Sequence, residues 1–119
     1  MPRVALREAT EAEIARIYSP PEAEHIVGEI DGEAVAWVGF RTIEGRLWGM
    51  FGMLTVAAPS VCVHLFYRFR MRLHAKAEPV SVLANDAEAA RLLRLLGLRR
   101  TDEHYAGKEV WIWTPRKCF

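Results

Sequence analysis

Residues 54–73, LTVAAPSVCVHLFYRFRMRL, decide how the chain is read. An apolar strand runs through a short turn into a helix, the layout in which a helix N-terminus receives a phosphate. Turns that cradle phosphate usually carry glycine, because consecutive backbone N–H groups must approach the ligand closely. This turn has Ala57, Ala58, Pro59 and Ser60 instead. Ser60 is expected to cap the helix. Cys62, Leu65, Phe66, Phe69 and Leu73 then fall on one apolar stripe at helical spacing. His64, Arg68 and Arg72 recur every four residues and give a cationic face. Arg70 and His74 lie on a neighbouring face.

Outward from this stretch, the upstream residues alternate. EHIVGEI and EAVAWVGF flank Asp31-Gly32, a dipeptide suited to a tight turn that needs positive φ. RLWGMFGMLTV follows Glu44-Gly45, so residues 26–56 read as a three-stranded antiparallel meander. Before it, RVALR is a first strand. Thr10 and Glu13 form a capping box that opens a helix over 11–18, and Pro20 and Pro21 end it. One more turn is expected over residues 22–25. Downstream, VSVL is a short buried strand. Asn85 with Glu88 reads as a second capping box, and AEAARLLRLL closes on Gly97 as a C-terminal glycine. RRTDEHY and KEVWIW pair around Ala106-Gly107. The order is β-α-β-β-β-α-β-α-β-β, and a strand–helix–strand step in the second half implies one parallel pair in an otherwise antiparallel sheet. The fold class is therefore α+β, with residues 1–119 as one domain.

Composition excludes several classes. At 119 residues the chain has the length of one domain, and 51% hydrophobic with 26% charged residues is ordinary for a globular one. A formal net charge of +1 gives no global attraction to nucleic acid or anionic membranes, so any such patch is local. Cys62 and Cys118 lack metal-knuckle spacing and are too few for a disulfide framework. They read as reduced thiols, which sets the expectation of an intracellular protein. No apolar run approaches membrane-spanning length, and MPRVALREAT lacks the apolar stretch of a signal peptide. His25, His64, His74 and His104 are scattered, so no metal site is expected.

The element order and the ending NDAEAARLLRLLGLRRTDEHYAGKEVWIWTP resemble the GNAT acyltransferase fold. The Leu96-Gly97-Leu98 corner is similar to that family's Leu-Gly-Phe corner. The resemblance implies a mostly antiparallel mixed sheet with helices on both faces. It implies that acetyl-CoA sets its pyrophosphate on the N-terminus of the helix after the fourth strand. It also implies backbone contacts from Leu54, Val56, Ser60, Val61 and Cys62. Two family signatures are missing. The Arg/Gln-x-x-Gly-x-Gly/Ala turn is replaced by VAAPSVCV. Leu93 stands four residues before the corner glycine, where many members carry a tyrosine that protonates the departing thiolate, and leucine transfers no proton.

In these departures the chain resembles short, divergent GNAT-like proteins of tailed bacteriophages. That implies a non-catalytic protein, in the virion or accessory to it, that works by binding other phage or virion proteins or by self-association. His64, Arg68 and Arg72 form the candidate patch for an anion, nucleic acid or a protein partner. The alternative is an active acetyl-CoA-dependent N-acyltransferase with a glycine-free cofactor turn. For that alternative His25, beside Glu24 ahead of the second strand, is a candidate general base near neutral pH. Tyr105 is a candidate replacement for the missing acid. The ordinary reading of His25 is a strand-edge residue. Trp37, Trp48, Trp111 and Trp113 are expected to pack in the core, with Trp111 and Trp113 on one face. Glu29, Glu33 and Glu44 are expected on the hairpin surface.

Overall fold

A computed structural model describes residues 3–17, 23–55 and 59–115, with 59–62 described by backbone alone. Its elements are β1 (Val4–Glu8), α1 (Glu11–Arg16), β2 (Glu24–Ile30), β3 (Glu33–Ile43), β4 (Arg46–Met53), α2 (Pro59–His74), β5 (Val80–Ala84), α3 (Ala87–Leu95), β6 (Arg99–Tyr105) and β7 (Lys108–Trp113). They form one seven-stranded sheet in the order β1-β2-β3-β4-β5-β7-β6. Among the described strands only β4 and β5 run parallel, joined by the crossover through α2.

The three hairpins follow from turn chemistry. Asp31-Gly32, Glu44-Gly45 and Ala106-Gly107 all take positive φ at both positions, between 51° and 83°. That is the primed turn whose twist matches paired strands. Side-chain alternation then sets the faces. Ala36, Val38 and Phe40 of β3 and Val80 and Val82 of β5 join Trp111 and Trp113 of β7 in one buried cluster. Leu65, Phe69 and Leu73 of α2, Leu93 of α3 and its cap residue Leu96 cover that cluster from the same side. Gly28 lets α2 approach, since a Cβ there would overlap Leu65. On the opposite face, Arg7 of β1 bonds both Glu13 of α1 and Glu29 of β2. Helices therefore lie on both faces, as expected.

Several local expectations are corrected. The caps of α1 match, with Thr10 and Glu13 bonding reciprocally, but α1 ends at Arg16. The prolines expected to stop it lie outside the described residues. No helical turn includes Glu24 and His25. Both belong to β2, where pairing with Phe40 and Gly39 outweighs any local turn. Glu29 is not a free surface residue, being paired with Arg7. β4 stops at Met53 rather than at residue 56, because the Leu54 and Thr55 amides both donate to Val35 O. α2 starts at Pro59, one residue before the expected cap Ser60. Proline suits that first turn, whose N–H groups have no helical acceptor. Asp86, not Asn85, caps α3, its Oδ1 accepting the Ala89 amide at 2.8 Å. Gly97 closes α3 as expected, with φ +93°. The amides of Gly97 and Leu98 return to Arg94 O and Leu93 O, the paired bonds of a Schellman motif.

Candidate functional site

The parallel pair is short. Leu47 lies opposite Val80, Trp48 opposite Ser81 and Gly49 opposite Val82, and there the pairing ends. β4 continues along β3 to Met53, opposite Ala36. β5 continues along β7 to Ala84, opposite Glu109. Each strand follows its antiparallel neighbour, so the two part beyond Gly49 and Val82. Among the described residues, the edge of β4 over Met50–Met53 that faces β5 has no partner strand.

A cleft of about 620 Å³ occupies this parting. It passes through the sheet and is lined from both faces. From the helix side come Phe51, Val82, Ala89, Leu92, Leu93 and Leu96. From the other side come Trp37, Arg46, Trp48, Met50, Glu44 and Tyr105. Phe51 does not plug the cleft. Its ring turns toward α2, 5.4 Å from Phe66 and 6.0 Å from Phe69.

The far side depends on a bulge. Arg100 lies opposite Trp111 and His104 opposite Glu109, so three residues of β6 (101–103) stand against Val110 alone on β7. Such insertions bend a strand. Glu103 in the bend and Tyr105 just beyond it meet β4. Arg46 Nη1 bonds Glu103 Oε1 at 2.6 Å, and Arg46 Nε bonds the buried Ser81 Oγ at 2.8 Å. The Arg46 guanidinium also lies 4.5 Å from the Trp48 ring, and the Tyr105 ring is 6.0 Å from that of Trp48. One residue, Arg46, thus ties β4 to β5 and to β6 at the cleft wall.

The sequence-predicted site residues divide. Tyr105 is 62% exposed and stands at the cleft mouth. His25 does not reach the cleft. It is buried in β2, 6.3 Å from the Trp37 ring, beside a separate cavity of about 270 Å³ that it shares with Glu8, Glu24 and Arg72. The Leu54 amide is occupied by Val35 O at 2.7 Å. Val56 lies outside the described residues. The backbones of Ser60, Val61 and Cys62 form the first turn of α2. His64, Arg68 and Arg72 are exposed along α2, and none lines the cleft. Leu93 is buried in the cleft wall, at 4% exposure.

Trp37 and Trp48 correct the expectation of four core tryptophans. Only Trp111 and Trp113 are in the core, whereas Trp37 and Trp48 are half-buried cleft residues. Trp37, Arg46 and Leu92 went unrecognised because the signal for them is a parting of strands, not a motif. Among the described residues no group of His, Cys, Asp or Glu is arranged to hold a metal. No described helix is long and apolar enough to cross a membrane.

No family model matches the chain, and no curated protein matches its sequence. Solved structures do match its shape. The Campylobacter jejuni N-acetyltransferase PseH, solved with acetyl coenzyme A, superposes with a TM-score of 0.65 at 7% identity, over 94% of this chain and 99% of that one. The aminoglycoside acetyltransferase AAC(6')-Ib, solved with coenzyme A and kanamycin, gives 0.68 at 12% identity, over 94% and 95%. Salmonella typhimurium yncA, solved with acetyl-CoA, gives 0.64 at 13% identity, over 97% and 95%. Identities this low speak for shape and not for activity, and the fold of this chain is the GNAT acetyltransferase fold.

Proposed function

We propose that the chain binds an acyl-CoA thioester between β4 and β5 and transfers the acyl group to an amine. The parting of the strands after Gly49 and Val82 carries this reading, because it leaves a through-going apolar cleft of about 620 Å³ beside an unpaired strand edge. That space suits a pantetheine arm, which needs backbone partners along an apolar slot. The neighbours solved with acetyl-CoA or coenzyme A support the same ligand class. α2 is the element that follows β4 in the chain, and the amides of Ser60, Val61 and Cys62 in its first turn would receive the diphosphate. Pro59 suits the first helical turn but has no N–H, so the cradle rests on those three amides.

The amine comes from the face of Trp48 and Tyr105. Its nitrogen attacks the thioester carbonyl, a C–N bond forms, the C–S bond breaks, and the sulfur leaves with the proton that the nitrogen gives up. Leu93 has no proton to give. The Tyr105 phenol stands at the mouth and is able to carry one. Holding amine and thioester together supplies much of the acceleration without an acid.

The test is thermal unfolding with acetyl-CoA against adenosine diphosphate, followed by thiol release with a panel of amines. A saturable stabilisation by acetyl-CoA, larger than that by the diphosphate, is expected. At 100 times the dissociation constant it amounts to about 2.7 kcal/mol. No shift at millimolar acetyl-CoA overturns the reading.

A second reading rests on Leu93 and the glycine-free turn, which favour a fold kept for binding without catalysis. In that case α2 is the docking face. Val63, Tyr67 and Met71 are exposed at four-residue spacing beside His64, Arg68 and Arg72. On this reading the partner is a virion or accessory protein of a phage, or a second copy. A monomer by light scattering that also binds acetyl-CoA removes this reading.

A further inference from the structure

The cleft continues below the sheet. Gly49, Phe51, Val82, Leu93 and Leu96 line both the cleft and a second void of about 30 Å³ that runs toward the core between α2 and α3. Every residue around that void is apolar. Water held there would lack the polar partners it needs, so the space stays dry. Close-packed interiors leave few such voids. Gly49 borders this one without a side chain, and a Cβ there would press on Val80 Cγ1 and Val82 Cγ2 at 3.1 Å. The void also sits at the closed end of the slot, where β4 and β5 meet at Gly49 and Val82. With the diphosphate on the first turn of α2, the thioester points into that end. Leu93 stands in the wall there, an alkyl group against whatever the acyl carbon carries.

On the reading of the cleft as an acyl-CoA site, we infer that the acyl group it takes is longer than acetyl, a short straight alkyl chain of the propionyl or butyryl class. A dry apolar space rewards each methylene placed in it by about fourfold in affinity, the equivalent of about 0.8 kcal/mol.

Titration calorimetry with acetyl-, propionyl- and butyryl-CoA in the absence of amine tests this. Expected is a rise of about fourfold from acetyl to propionyl and about 15-fold from acetyl to butyryl. Gly49→Ala fills the apex and is expected to abolish the preference. Val82→Ala widens it and is expected to move the optimum to hexanoyl-CoA. Affinity ratios within one variant are compared, so a loss of stability does not imitate the result, and Val82→Ala carries the test if Gly49→Ala does not fold. Acetyl-CoA binding as tightly as butyryl-CoA overturns the inference and leaves the acyltransferase reading standing. An unchanged ratio in the variants that fold overturns it too. Failure of all three thioesters to bind overturns both.

Discussion

The indole of Trp37 lies against the backbone of Gly52 so closely that a Cβ on Gly52 would overlap Trp37 Nε1. The two residues face each other across β3 and β4. Trp37 also lies near Gly39, where a Cβ would meet its Cζ3 at 3.1 Å. Glycines on two strands thus clear a bed for one ring at the cleft wall. Gly52→Ala is expected to push Trp37 off that bed at a cost of about 1–3 kcal/mol, the usual range for overpacking. Urea denaturation followed by tryptophan fluorescence measures it. A native spectrum with unchanged stability would mean that Trp37 is not seated there.

Glu13 ties α1 to the sheet, and the tie depends on pH. Hydrogen bonds from Arg7, with help from the Thr10 backbone and the charge of Arg7, hold the Glu13 carboxyl at about 2, down from 4.5. A depressed carboxyl contributes stability that is whole above its unfolded value and lost as pH falls through its folded one. The contribution is therefore complete above about pH 4.5 and gone below about pH 2. Glu13→Gln is expected to lower stability at pH 7 and to flatten the loss between those two values. Stability curves of both proteins that run parallel through this window would refute it.

Arg46 and Glu103 form an ion pair, yet their loss is expected to differ. Their side chains are 37% and 49% exposed, so the pair itself is worth at most about 1 kcal/mol. Glu103→Ala should cost no more than that. Arg46→Ala also strips the buried Ser81 Oγ of its donor, which adds about 1–3 kcal/mol. Chemical denaturation of both variants decides it. Equal losses would place the weight on the ion pair after all.

The cationic row of α2 lies apart from the cleft between β4 and β5. Arg68 follows Pro59 by nine residues, about 13 Å along the helix axis. Arg68→Ala and Arg72→Ala are expected to leave the stabilisation by acetyl-CoA unchanged. They should also keep the intrinsic stability within about 0.5 kcal/mol, since both side chains are exposed. A loss of the acetyl-CoA shift would draw these arginines into the cofactor site.

Much of the fold was legible because its rules are local. Asp31-Gly32, Glu44-Gly45 and Ala106-Gly107 specify hairpins through the φ values that glycine and its neighbour adopt. Thr10 with Glu13 and Leu96-Gly97-Leu98 mark helix ends by bonds spanning a few residues. The alternation that sends Trp111 and Trp113 into the core is a strand's own period. Local rules erred where two neighbours compete, as when Asp86 rather than Asn85 caps α3.

The sequence by itself determined the elements, their order and the parallel step, because turn chemistry, caps and periodicity act within a few residues. Only the tertiary structure decided where a ligand fits. The cleft arises because β4 stays with β3 while β5 stays with β7, a competition between distant pairings that no short window contains. The bend in β6 brings Tyr105 to Trp48 across intervening strands, and the pairing of β2 draws His25 away to a cavity of its own. Those positions follow from register and sheet geometry, which the chain settles only when every strand has found its partner.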